Sequence, residues 1–242
     1  EVKASAQPAS MCMQIFRHLW NHGSAASRDT KWTEDMGTLY QFTDINDIEG
    51  NKFDFNTLKG KVVLFSNVAC GCGYTKKGYE HMVQWKTDLK GQPFEIIAWP
   101  SNSFDQETKD DASIKQYVTD KFGLNFPLMA KGDVKGENTN PVYQWLYKSF
   151  PGEVTWNFSS YFLVSHEGIP VARFEKESWE EIKSGIDAAV QIAKDAAAGK
   201  TTAVPAAAEP AAPAPAAATE DKPAETSQWM IAQKNNIAQA KL

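Results

Sequence analysis

The stretch Lys61-Val62-Val63-Leu64-Phe65-Ser66-Asn67-Val68-Ala69-Cys70-Gly71-Cys72-Gly73-Tyr74-Thr75 constrains this chain more than any other. An apolar, β-branched run of this kind reads as a buried strand. It breaks into a loop punctuated by Gly71 and Gly73, and a helix starts at Thr75. The strand therefore delivers thiols to a sheet edge, beside a helix N-terminus whose N–H groups have no intrahelical partner. The positive end of the helix dipole favours thiolate over thiol, so the pattern predicts a reactive cysteine.

Other elements follow along the chain. Leu39–Ile45 alternates like a strand, with Glu49-Gly50-Asn51 as turn chemistry. A helix is expected from Thr75 to Leu89, presenting Tyr79, Met82, Val83 and Leu89 on one side. Phe94–Trp99 reads as the next strand, ended by Pro100, and a helix near Asp110–Phe122 follows. Asn140 suits an N-cap before Pro141, a first helical position where the missing N–H costs nothing. Tyr161–Val164 and Pro170–Phe174 form a hairpin across Glu167-Gly168. Ser178 and Glu181 make a capping box for a last helix packing through Ile182, Ile186, Val190 and Ala193. Strands alternating with helices and closing on a hairpin predict a three-layer α/β domain of thioredoxin type with a central mixed sheet.

Within 242 residues this domain occupies 36–197, flanked by segments of different character. Residues 1–35 read as an N-terminal arm. Its Met11, Ile15, Phe16, Leu19 and Trp20 recur at helical spacing, so a short amphipathic helix lies either on the chain's own core or on a partner. Residues 198–225 are an Ala/Pro-rich linker that cannot bury a core. Residues 226–242 open with the apolar group Trp229-Met230-Ile231 and read as an anchor segment. Protein partners are expected at both the arm and the tail.

The net charge of −5 supplies no attraction for nucleic acid or an anionic membrane. No apolar run approaches the roughly 20 residues of a membrane-spanning helix. Three cysteines, Cys12, Cys70 and Cys72, are too few for a disulfide-stapled fold. His18, His22, His81 and His166 are scattered, without the cysteine pairs of a zinc site. The sequence opens on Glu1 with no methionine and no charged-then-apolar leader. That is expected when a targeting segment has been removed, or when the sequence is a portion of the chain. With the anchor-like tail, this favours an organelle, mitochondrion or plastid, over the cytoplasm.

Several separated motifs, in order, resemble the glutathione peroxidase family in its cysteine form. They are Leu58-Lys59-Gly60-Lys61-Val62-Val63, Asn67-Val68-Ala69 leading to Cys72-Gly73 and Thr75, then Pro100, Asn102 and Phe104. Phe126-Pro127, Lys131, Asp133-Val134, Gly136, Pro141, Tyr143, Trp156-Asn157-Phe158 and Leu163-Val164 complete the set. The resemblance implies a thioredoxin fold and reduction of hydrogen peroxide or organic and lipid hydroperoxides. Cys72 would be the peroxidatic thiol, with Trp156 and Asn157 as N–H donors around its sulfur. It implies no metal, flavin or nucleotide cofactor, and glutathione or another thiol as co-substrate.

The departures matter equally. Ser103 stands where the family places a glutamine donor, and Gln106 is the residue near enough in sequence to substitute. Between Trp156-Asn157 and the Phe162-Leu163-Val164 strand there is one residue more than the family pattern, so a bulge is expected. Thr119 occupies the helix position of the family's resolving cysteine. Cys70 is then either a resolving thiol, through a tight and easily reduced Cys-Gly-Cys disulfide, or a buried thiol without redox role. Two functions follow: a thiol peroxidase, or a peroxidase-fold accessory subunit of an organellar complex with weakened catalysis, held by its extensions.

Overall fold

A computed structural model describes residues 30–175 and 178–200. The N-terminal helix at Met11–Trp20, the linker beyond 200, the 226–242 anchor, the partners expected on them and Cys12 all lie outside the described residues.

Four strands, β1 (Val62–Val68), β2 (Phe94–Pro100), β3 (Tyr161–Val164) and β4 (Pro170–Phe174), form one sheet in the order β2-β1-β3-β4. β1 pairs parallel with β2 and antiparallel with β3, and β3 pairs antiparallel with β4, so the sheet is mixed. Parallel neighbours need a crossover, which helix α1 (Thr75–Asp88) supplies. α2 (Asp111–Phe122), α3 (Pro141–Ser149) and α4 (Trp179–Ala197) complete the domain.

β1 is buried at all seven positions because both of its faces are covered. Val62, Leu64 and Val68 pack with Tyr79 and Met82 of α1, Ile114 and Val118 of α2, and Ile182, Ile186 and Val190 of α4. Val63 and Phe65 point the other way, onto Val142, Tyr143 and Leu146 of α3. The fold is thus the thioredoxin-like arrangement that the alternation predicted, with helices on both sides of the sheet. Capping agrees as well. Asp110 and Asn140 accept from Ser113 N and Tyr143 N, and the Ser178–Glu181 box closes in both directions.

Two segments differ from the sequence reading. Leu39–Gln41 is a 3-10 turn rather than the start of a strand. Leu39 and Ile45 are buried, Tyr40 and Phe42 are half-buried, and Gln41, Thr43 and Asp44 are exposed, so the apolar residues reach the core without a strand to pair with. A single antiparallel bridge, Asn46 to Lys52, spans the expected turn at Gly50. Trp32, which the reading leaves in the arm, is buried in the core, and its indole donates to Gly37 O at 2.7 Å.

Candidate active site

The loop leaving β1 is fastened residue by residue. Cys70 N donates to Glu107 Oε2 at 2.6 Å, and Gly71 N donates to Gln106 O at 2.9 Å. A Cβ on Gly71 would stand 2.9 Å from that same carbonyl oxygen, so close backbone approach requires glycine there. Cys72 N donates to Thr75 Oγ1, whose own hydroxyl donates to Ala69 O at 2.6 Å. The first residue of α1 therefore pins the loop that carries the thiol.

Cys72 is a free thiol, 7% exposed. Tyr74 N, at the start of α1, donates to its sulfur at 3.4 Å, and the thiol faces Asn157 O at 3.9 Å. Burial pushes the thiol above its ordinary range, while the Tyr74 N–H and the Trp156 side chain pull it down. Desolvation outweighs the donors. The helix terminus acts in the expected direction, through the Tyr74 N–H, and removal of the sulfur from water outweighs it.

A turn at 156–159 brings the Trp156 side chain and the Asn157 carbonyl to the sulfur, whereas the Asn157 amide, expected as a donor to it, donates to Gln106 Oε1 instead. Asn67, a polar residue inside the apolar β1 run, donates from Nδ2 to Trp156 O at 3.2 Å and to Asn157 Oδ1 at 2.9 Å. Phe158 N returns a bond to Asn67 O at 2.9 Å. Phe158 takes φ +59°, a left-handed conformation that costs a non-glycine residue about 1 kcal/mol or more. Its ring packs edge-on against Tyr79, in space left open by Gly78. The β1–β3 pairing runs regularly from Ser66–Tyr161 onward, and the sheet's irregularity lies between β3 and β4, at Leu163/Val164. The Trp156 ring leans on Phe104 at 5.4 Å between centroids.

Ser103 and Gln106 go different ways. The Ser103 hydroxyl accepts from Ser101 Oγ at 3.0 Å and Val134 N at 3.1 Å, and it donates to Asp133 Oδ1 at 3.4 Å. It serves the 133–134 loop. Gln106 instead accepts Asn157 Nδ2 on its Oε1 at 3.2 Å while its main chain holds Gly71. The structure thus brings Cys72, Trp156, Asn157 and Gln106 together and ties the Ser103 side chain elsewhere. Thr119 lies on α2, lining a groove with Glu49 and Lys115.

Three residues of this cluster were given no site role from sequence: Asn67 and Thr75, named only as matching motif residues, and Glu107. Asn67 had a visible signal, as a polar side chain in an apolar run. Glu107, in an irregular loop, had none. Cys70 is half-buried, and burial together with the Glu107 carboxylate pushes its thiol up. No group of three His, Cys, Asp or Glu side chains placed to hold a metal ion occurs among the described residues. No helix among them is long and apolar enough to cross a membrane.

The family model for glutathione peroxidase matches residues 39–147. Glutathione peroxidase 1 of Helianthus annuus is 43% identical over 144 residues, 57% of this chain and 85% of that protein. The chain belongs to the glutathione peroxidase family. The Arabidopsis thaliana protein described as probable phospholipid hydroperoxide glutathione peroxidase 6, mitochondrial, is 39% identical over 158 residues, covering 63% of this chain and 65% of its own length. The crystal structure of T. cruzi GPX1 aligns with a TM-score of 0.53 and 33% identity, over 64% of this chain and 97% of that one. Cys72, Ser103 and Gln106 fall inside the segment matched by the glutathione peroxidase model, and Trp156 and Asn157 lie beyond it. Sequence on both sides extends past that segment.

Proposed function

We propose that this glutathione peroxidase homologue is a thiol peroxidase acting through Cys72 on hydrogen peroxide or on organic and lipid hydroperoxides. One observation carries the reading. The Cys72 sulfur sits at the N-terminus of α1 with Tyr74 N–H and Trp156 as donors, facing the Asn157 carbonyl.

In the first step the Cys72 thiolate attacks one peroxide oxygen, forming an S–O bond as the O–O bond breaks. Cys72 becomes a sulfenic acid, and the departing oxygen takes a proton to leave as water or an alcohol. Donors already aimed at the sulfur stabilise its charge without reorganising. Glutathione or another thiol then displaces water from the sulfenic acid, and a second thiol releases the reduced enzyme as a disulfide leaves. Relatives described as phospholipid hydroperoxide glutathione peroxidases support the lipid class of substrate. Relatives described as mitochondrial or chloroplastic support an organellar location. The extensions, an arm at 1–35 and a linker and anchor at 198–225 and 226–242, would attach this 36–197 domain to protein partners.

Ser103 favours a second reading, a weakened peroxidase kept as an accessory subunit, because its hydroxyl is engaged with the 133–134 loop. One experiment separates them: glutathione-dependent consumption of hydrogen peroxide and a phospholipid hydroperoxide by the full chain, with C72S as control. Turnover abolished by C72S supports the peroxidase. Equal, near-background consumption by both proteins supports the subunit.

A further inference from the structure

Among the described residues Glu107 is the one acidic side chain shut off from solvent, at 0% exposure. A carboxylate taken out of water costs stability unless it is hydrogen-bonded or paired with a cation. Here Oε2 accepts the Cys70 N–H, and Glu107's own N–H is held by Asn102 Oδ1 at 3.0 Å. Oε1 accepts no hydrogen bond among the described residues. The same carboxylate interacts with the Cys70 thiol, and one of its acceptor positions is open. The other titratable groups around the pair are Tyr79 of α1, with Tyr117 of α2 beyond it, and Lys109 on the loop leading to α2.

Cys70 and Gly71 lie in a turn, two residues and one residue before Cys72. A turn brings positions two apart within the range that a disulfide can bridge once a flexible glycine adjusts. We infer that Glu107 is the proton acceptor that makes Cys70 the resolving thiol for Cys72. The inference rests on the peroxidatic reading of Cys72 and puts Cys70 ahead of the external thiol, which then reduces a disulfide in place of the sulfenic acid.

The step balances within the loop. Once a hydroperoxide has converted Cys72 to a sulfenic acid, the Glu107 carboxylate takes the Cys70 thiol proton as the Cys70 sulfur attacks the Cys72 sulfur. The S–S bond forms and the S–O bond breaks. Hydroxide departs, receives the proton from Glu107 and leaves as water, so no further oxidant enters. An external thiol then reduces the disulfide by exchange, which a strained small ring favours. Before that, burial and the adjacent carboxylate hold Cys70 as a thiol, which protects it from direct oxidation.

The test uses the reduced full chain and one equivalent of hydrogen peroxide. Dimedone traps sulfenic acid, N-ethylmaleimide traps free thiols, and peptide mass spectrometry follows the time course. In the wild type, Cys72 sulfenic acid rises and gives way to a Cys70–Cys72 disulfide. In E107Q the sulfenic acid persists and disulfide formation slows at least tenfold at pH 7, the gap closing towards pH 9 as hydroxide takes over the proton. A purely structural defect would persist at every pH. E107Q resolving at the wild-type rate, or wild-type sulfenic acid persisting without disulfide, overturns the proposal. The wild type also tests it without any variant. An internal acceptor keeps the disulfide-forming rate nearly flat from pH 6 to 8, and a tenfold rise per pH unit contradicts it. Wild-type protein with neither sulfenic acid at Cys72 nor a Cys70–Cys72 disulfide overturns the peroxidatic reading as well, whereas a missing disulfide alone leaves that reading standing.

Discussion

Asn157 donates its side-chain amide to Gln106 Oε1 at 3.2 Å, joining the turn before β3 to the loop after β2. Two segments 51 residues apart in sequence are thereby held on either side of the Cys72 loop. Gln106 also fixes that loop directly, through Gly71. It accordingly supports the cluster from a position three residues past Ser103.

Gln106→Ala should therefore slow Cys72 oxidation by roughly tenfold, since a misplaced donor set forfeits stabilisation of the developing charge. Stopped-flow tryptophan fluorescence during mixing with hydrogen peroxide reads this rate. An unchanged rate removes Gln106 from the site.

Trp156→Phe deletes a donor that pulls the Cys72 thiol down while leaving its burial in place. Less thiolate is then present at neutral pH, and the expected rate falls roughly tenfold or more. The whole pH–rate profile should move to higher pH. A slower rate with an unmoved profile would assign Trp156 to packing against Phe104.

Ser103→Ala strands the Val134 N–H and the Ser101 hydroxyl, at a cost of about 1 kcal/mol in urea unfolding. With its hydroxyl bound away from Cys72, the expected loss lies in stability rather than in peroxide rate. A large drop in Cys72 oxidation without loss of stability would return Ser103 to the site.

Gly78→Ala places a methyl group against the Phe158 ring. Overpacking of this kind costs about 1–3 kcal/mol, and the displaced ring drags the Asn157 turn with it. Both the unfolding midpoint and the peroxide rate should fall together. A loss of stability alone would show that the turn is held by Asn67 without help from Phe158.

Burial pushes Tyr40 and Tyr147 from about 10 up to about 12 and also raises Cys72, Tyr79 and Tyr143. Each is an acid that keeps its proton longer folded than unfolded. The unfolded chain binds fewer protons above pH 9, so stability present below the ordinary thiol and tyrosine ranges is lost as pH rises through them. Calorimetry should give a Tm that falls steadily from pH 9 to 11. A level Tm across that window would contradict the burial of these groups.

Much of this architecture was legible because its signals are local. The β1 run, the Asn140 and Ser178 caps and the Glu167-Gly168 hairpin each follow from a few adjacent residues. Leu39–Ile45 misled because its apolar residues reach the core from a 3-10 turn and the loop after it, without a partner strand. Cys72 was legible from the strand–loop–helix sequence itself. The net direction of its ionisation was not, because desolvation depends on Trp156, Asn157 and Phe158 arriving from 84 to 86 residues away. Glu107 was hidden for the same reason: its burial is set by the Cys70 loop, to which no periodicity in its own segment refers.

The most direct test of the central claim is mass spectrometry of the reduced protein after brief exposure to substoichiometric hydrogen peroxide, with C72S alongside. The account predicts rapid oxidation that starts at Cys72, as sulfenic acid or as a Cys70–Cys72 disulfide, and disappears in C72S. Slow oxidation spread over Cys12, Cys70 and Cys72 alike, unchanged by C72S, would contradict it.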